Sequence, residues 1–132
     1  MGQAHHITRT TEDVIDRFNR AFRERDVTLL EDIIAPDCVM ESIQPAPDGT
    51  RYEGYDASFD SWKALIDDET SHFEVEDVHT GDSWALIRWR YVWGSGSDES
   101  VRGVNVMQVV DGKIVEAAGY SKTAPTVAAL EG

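Results

Sequence analysis

Over residues 83–122 large apolar and polar side chains alternate with a period of two. Ala85, Ile87, Trp89, Tyr91 and Trp93 fall on one side of such a strand, and Leu86, Arg88 and Arg90 on the other, because successive side chains of an extended chain point to opposite faces. The pattern predicts three long strands over 83–93, 102–110 and 113–122. Asp111-Gly112 joins the last two, the dipeptide suited to a two-residue type I′ turn in which both central residues need positive φ. In the last strand the expected register turns Ala117, Gly119 and Ser121 inward, where small side chains widen any space beneath them. A further run over 72–79 sets Phe73, Val75 and Asp77 against Glu74, Glu76 and Val78 and reads as a strand with one solvated face. On that spacing His72 and His79, seven residues apart, point to opposite faces.

Upstream the period changes. Val14, Ile15, Phe18, Ala21 and Phe22 recur at helical spacing, after a Thr10 or Thr11 cap, with Glu12 and Asp13 at the start and Arg20, Arg23 and Arg25 near the end. Asp26 is expected to cap a short second helix that buries Leu29, Leu30, Ile33 and Ile34 and stops at Pro36. A strand over 38–43 and a Pro/Gly loop follow. A third helix is predicted over 56–67, capped by Asp56, with Phe59, Trp62, Leu65 and Ile66 as its apolar stripe. It ends on Asp67-Asp68-Glu69, against the preference of the helix dipole. This order predicts an α+β domain with helices packed on one face of a bent antiparallel sheet.

Length and charge narrow the possibilities. A chain of 132 residues is one domain by size, and can bury about two-thirds of its unfolded surface without metal or disulfides. Twenty-five acids against 12 bases, a net charge of −13, disfavour a nucleic-acid partner. No apolar run approaches the roughly 20 residues that cross a bilayer, and the N-terminus has no signal-peptide core; a cytoplasmic protein without a membrane partner is the expectation. The single cysteine, Cys38, lies in an apolar run and reads as a buried thiol. No His-x-x-x-His, carboxylate–histidine cluster, thiolate pair or phosphate-binding glycine loop is present, so no metal or cofactor is expected.

Several segments in sequence order carry a resemblance. They are Arg25-Asp26-Val27 between the first helices, the run Ile34-Ala35-Pro36-Asp37-Cys38-Val39-Met40-Glu41-Ser42, Tyr52-Glu53-Gly54-Tyr55, Arg102-Gly103-Val104-Asn105-Val106, and Asp111-Gly112-Lys113-Ile114-Val115-Glu116 closing on Tyr120-Ser121-Lys122. Together they resemble the nuclear transport factor 2-like superfamily, the SnoaL-like or ketosteroid-isomerase-like fold, over residues 11–123, with flexible ends at 1–10 and 124–132. The resemblance implies a cone whose curved sheet wraps the first helix and leaves a pocket open at one end, and dimers formed through the outer sheet face. It also implies which chemistry is altered. The base aspartate of ketosteroid isomerases aligns with Ser42, their oxyanion aspartate with Asn105 and their helix tyrosine with Phe18. A serine does not abstract a proton at neutral pH without a base of its own. The Asp-Arg-Asp set of limonene-epoxide hydrolases is missing beside Arg88-Trp89-Arg90, and the histidine pair of scytalone dehydratase is not matched by His72 and His79.

Asn105 remains the leading candidate, an amide that offers donor and acceptor to a carbonyl or hydroxyl. His72 is the candidate proton-transfer group and Tyr91 a second polarising hydroxyl. Phe18, Met40, Ser42, Tyr52, Tyr55, Trp62, Trp89 and Met107 are the candidate ligand-lining residues, with Tyr52 and Tyr55 at the mouth. Two functions are compatible with this set. One is a cofactor-independent lyase, isomerase or cyclase, polyketide-cyclase-like, acting on a cyclic or carbonyl-containing hydrophobic compound. The other is a non-catalytic ligand-binding or dimeric assembly module. In either, the expected partners are a small hydrophobic or aromatic ligand and a second copy of the chain.

Overall fold

The computed structural model describes residues 9–45, 47–96 and 98–122. In chain order these form α1 (Thr11–Arg23), a 3-10 turn (Val27–Leu30), β1 (Ile34–Glu41), β2 (Arg51–Glu53), α2 (Tyr55–Asp67), β3 (His72–Thr80), β4 (Trp84–Val92), β5 (Ser100–Val110) and β6 (Lys113–Ser121). Of the ends expected to be flexible, Arg9 bonds Asp32 at 2.9 Å and Thr10 caps α1, while 1–8 and 124–132 lie outside the described residues.

The six strands form one sheet in the order β2-β1-β6-β5-β4-β3. Every neighbouring pair is antiparallel except β1 and β6, which run parallel. The sheet is therefore mixed and open, a correction to the all-antiparallel expectation. Parallel neighbours need a long connection between them, and here most of the chain separates β1 from β6. Nothing local to either strand records the direction of the other. The β5–β6 hairpin forms as predicted: Asp111 and Gly112 take φ of 53° and 76°, the left-handed values the turn demands.

The α1 helix begins with a reciprocal capping box, in which the Thr10 hydroxyl accepts from Asp13 N–H and the Asp13 carboxylate accepts from Thr10 N–H. Its stripe Val14, Ile15, Phe18 and Ala21 is buried against the sheet. After it, Asp26 caps a single 3-10 turn rather than a helix reaching Pro36. Pro36 instead lies within β1, where the pairing with β6 slips between Ile34 and Val39. At that irregularity a residue lacking an N–H breaks no ladder bond. Gly54, at φ 96°, caps α2 in place of Asp56, which falls in the first turn. Its N–H reaches Cys38 O at 2.7 Å and ties the start of α2 to β1.

The acidic end of α2 has a specific answer. Arg25, itself at φ 53°, donates to Ile66 O at 2.7 Å, Asp68 O at 3.0 Å and Ser71 O at 2.6 Å. One guanidinium thus satisfies carbonyls left open by the helix end, the place where a cation is also favoured by the dipole.

A bulge between Val75 and Asp77 shifts the β3–β4 pairing by one residue. His72 pairs with Val92 and His79 with Leu86, so both histidines lie on the Leu86/Arg88/Arg90 face. The expectation of opposite faces fails because the extra residue reverses the alternation beyond it. Replacing Arg25 with alanine is expected to lower unfolding free energy by about 1.5–3 kcal/mol, the range for hydrogen bonds to a charged group. Urea denaturation reads this, and a loss below about 0.5 kcal/mol would show that water serves those carbonyls as well.

Candidate functional site

The inner faces of the strands and one side of each helix enclose a hollow of about 770 Å³. Its floor follows from strand register. Ala117 and Gly119 on β6, Asn105 on β5, Ile87, Trp89 and Tyr91 on β4, and Phe73 and Val75 on β3 share the inward face. The last strand does turn its small residues inward. Phe18, Asn19, Phe22 and Arg23 of α1 and Ser61, Trp62, Ala64 and Leu65 of α2 close the space from the helical side.

Aromatic rings frame it in an unbroken series. Trp62 meets Phe18 edge-on with centroids 5.1 Å apart, Phe18 meets Phe22 at 5.1 Å, and Phe22 meets Phe73 at 5.5 Å. Phe73 then contacts Trp89 at 5.2 Å and Tyr91 at 4.6 Å. Such pairs contribute about 0.5–1.5 kcal/mol each beyond area burial, so the frame holds α1, α2, β3 and β4 at fixed spacing. It lines the hollow without filling it.

Asn105 sits between Ile87 and Gly119 in the floor. Trp89 Nε1 donates to Asn105 Oδ1 at 3.2 Å. An indole N–H can only donate, so the amide oxygen must face it, and the amide NH2 is turned the other way. That NH2 has no partner among the described residues and lies at the wall of the hollow. Two glycines make the arrangement possible. A Cβ on Gly103 would lie 2.4 Å from the Trp89 ring and 2.3 Å from Tyr120 O; one on Gly119 would lie 3.2 Å from Asn105 Oδ1.

The other expected site residues divide. Phe18, Met40, Ser42, Tyr52, Trp62, Trp89 and Tyr91 line the hollow beside Asn105. Three lie elsewhere. His72 is on the outer face, with Nε2 3.0 Å from Glu74 Oε2, because its parity in β3 points it away. Tyr55 donates to Glu31 O at 2.6 Å and stacks on Phe59; burial pushes its phenol pKa up. Met107 is packed solidly in the core. Ser42, at the aligned base position, donates to Gln44 O at 2.9 Å and accepts from Thr50 N–H at 3.2 Å, so its hydroxyl holds a loop together. Cys38 is fully buried, and burial pushes its thiol pKa up.

Of the carboxylates on the hollow's border, Glu41 pairs with Arg51 at 3.5 Å and Glu74 meets His72. Sequence reasoning missed Asn19, Arg23, Ser61, Ala64 and Gln44. Asn19 lies four residues after Ile15 and Ser61 four before Leu65, so extending each stripe at i, i+4 would have found those two; Arg23 and Ala64 lie one further turn along the same faces. Among the described residues no three His, Cys, Asp or Glu side chains gather into a metal-holding cluster. No described helix is long and apolar enough to cross a membrane.

An open mixed sheet curved over two helices, with an apolar hollow between them, defines the cone-like α+β class of the nuclear transport factor 2-like superfamily. The chain belongs to the SnoaL-like domain family, whose model matches residues 15–117. It is similar to the solved structure of an NTF2-like protein of unknown function from Mesorhizobium loti, at 42% identity over 86% of this chain and 91% of that one, with a TM-score of 0.79. A Sinorhizobium meliloti protein carrying the name polyketide cyclase shares 22% identity over 81% and 93% of the two chains, TM-score 0.66. A Kribbella flavida protein carrying the name ketosteroid isomerase shares 16% over 90% and 84%, TM-score 0.69. These last two likenesses concern the fold alone. No curated protein matches the chain.

Gly103→Ala is expected to cost about 1–3 kcal/mol, the usual penalty of overpacking, because its methyl meets both a ring and a backbone carbonyl. A variant unfolding at the wild-type urea midpoint would show that the Trp89 ring has room to move.

Proposed function

We propose that the hollow binds a flat or cyclic apolar compound carrying a carbonyl or hydroxyl oxygen, and that Asn105 donates a hydrogen bond to that oxygen. The observation that carries this reading is the Asn105 amide, held by Trp89 with its NH2 unpartnered among the described residues at the wall of a largely apolar space. A ligand that excludes water from this donor must offer it an oxygen or lose a hydrogen bond. The volume is within the range of small-molecule sites.

The binding role is favoured over turnover by what surrounds Asn105. Among the described residues its one side-chain partner is an indole, the aligned base position is a committed serine hydroxyl, and no imidazole lines the hollow. A second reading, cofactor-independent isomerisation or ring closure, draws on the same donor: an amide NH2 in a water-poor site can stabilise a developing enolate oxygen. The cyclase and isomerase names borne by two structural neighbours agree with that chemistry.

Thermal-shift titration with fluorenone, a flat three-ring ketone, tests the binding role. Wild-type protein is expected to melt higher with ligand. Asn105→Leu is expected to bind about three- to tenfold more weakly, the loss of one hydrogen bond. Equal affinity in the variant would remove Asn105 from the site. Deuterium exchange into tetralone, an enolisable ring ketone, separates the two readings: rate enhancement by wild type that disappears in Asn105→Leu supports turnover, and no enhancement supports binding alone.

A second copy of the chain is the partner we propose for the outer sheet face. Trp84, Val106 and Tyr120 are 48%, 42% and 60% exposed. The register places Val106 between Leu86 and Ala118, and Tyr120 beside Val104, so the apolar positions adjoin across three strands. Patches of this kind mark association surfaces. Val106→Glu is expected to shift the sedimenting species from dimer to monomer; a monomeric wild type would contradict the proposal.

A further inference from the structure

Several polar groups on the hollow's border have no hydrogen-bond partner among the described residues, and the Asn105 NH2, the Asn19 amide and the Arg23 guanidinium are three of them. The last two come from one helix. Asn19 and Arg23 are four residues apart in α1, hence neighbours on one face of its last turns. Arg23 is the one cation among the described lining residues. Its nearest carboxylate, Glu24, lies 3.8 Å away and is already held by Arg20 Nε at 3.0 Å. Arg20 holds Glu24 at 3.0 Å, so of the two arginines at the end of α1 Arg23 has only the longer, shared ion pair and is 64% exposed.

The acids that share the border are turned from the space. Glu41 pairs with Ala118 in the parallel register and reaches Arg51, and Glu74 lies opposite Arg90 and reaches His72, both on the outer side of the sheet. In a chain of net charge −13, an arginine whose one nearby acid is shared with Arg20, at the rim of a largely apolar hollow, makes a local positive site in an otherwise repelling field. Beside it an amide supplies both a donor and an acceptor.

We infer that the ligand of this hollow is an anion: a flat apolar body with a carboxylate at one end, received by Arg23 and Asn19, and an oxygen farther along that meets Asn105. The inference rests on the pocket reading above and adds the ligand's charge and its orientation. The carboxylate end lies at the rim, where water still reaches it, and the rings lie against Phe18, Phe22, Phe73 and Trp89. A guanidinium receives a carboxylate through paired N–H donors, which also sets the direction in which the ligand enters.

A matched pair of probes tests this: fluorenone carboxylate and the near-isosteric fluorenone carboxamide, titrated at low salt by thermal shift and calorimetry. Wild type is expected to bind the carboxylate about fivefold more tightly, the upper range for a partly exposed ion pair, and the preference is expected to shrink as salt rises. Arg23→Gln is expected to abolish the preference, weakening carboxylate binding more than carboxamide binding. Arg23→Lys is expected to keep part of it. A preference that survives in Arg23→Gln, or wild type that binds both probes equally, would overturn the inference while leaving the pocket intact. Wild type that binds neither probe would overturn the pocket reading and this inference with it.

Discussion

A single indole-to-amide contact governs how this protein's interior can be used. Trp89 lies across the inner sheet face, and its N–H meets the oxygen of Asn105 from the next strand. Because the indole has no acceptor to offer, the contact permits one orientation of the amide. The ring in turn occupies the place where a side chain at Gly103 would be, and the edge-on contact with Phe73 holds it there. The rest of the site is arranged around that fixed pair. Gly119 leaves room beside the amide oxygen, Ala117 keeps the neighbouring floor low, and the rings of α1 and α2 close the far side without descending into the space.

Geometry of this kind needs a rigid surround, and it is supplied from a distance. Arg25 gathers three carbonyls around the end of α2, and Gly54 anchors the helix start to β1. With both ends secured, α2 stays packed against β1 and turns Trp62 toward Phe18 of α1. The hollow is thus a consequence of ring size and helix anchoring together. Its two acids and the Ser42 hydroxyl are engaged in loop or surface bonds, which leaves donors such as the Asn105 NH2 and Arg23 to define what enters.

Much of this was legible in the chain. Period-two alternation in β4 placed Ile87, Trp89 and Tyr91 on one face, and the Asp111-Gly112 turn set the register that carries Gly119 beside Asn105. Helical spacing found Phe18 and Trp62. What was not legible depends on encounters between distant segments. The slip at Val75/Asp77 reversed the alternation of β3 and carried His79 to the side of His72. The Arg25 clamp spans more than 40 residues, and the acids after Asp67 gave no sign of it. Pro36 read as a helix stop because a strand irregularity has no local signature. The orientation of the Asn105 amide could in principle have been inferred, since Trp89 pairs with Gly103, two residues along, and a donor there restricts its neighbour.

The account turns on the Asn105 amide presenting its NH2 to an occupant while Trp89 retains the oxygen. Proton–nitrogen NMR of the side-chain groups during titration with fluorenone observes both at once. The account predicts that the Asn105 NH2 resonances move saturably with ligand, while the Trp89 indole N–H stays slow to exchange throughout. Unmoved Asn105 resonances at saturating ligand, or an indole proton that exchanges at the rate of free water contact, would contradict it.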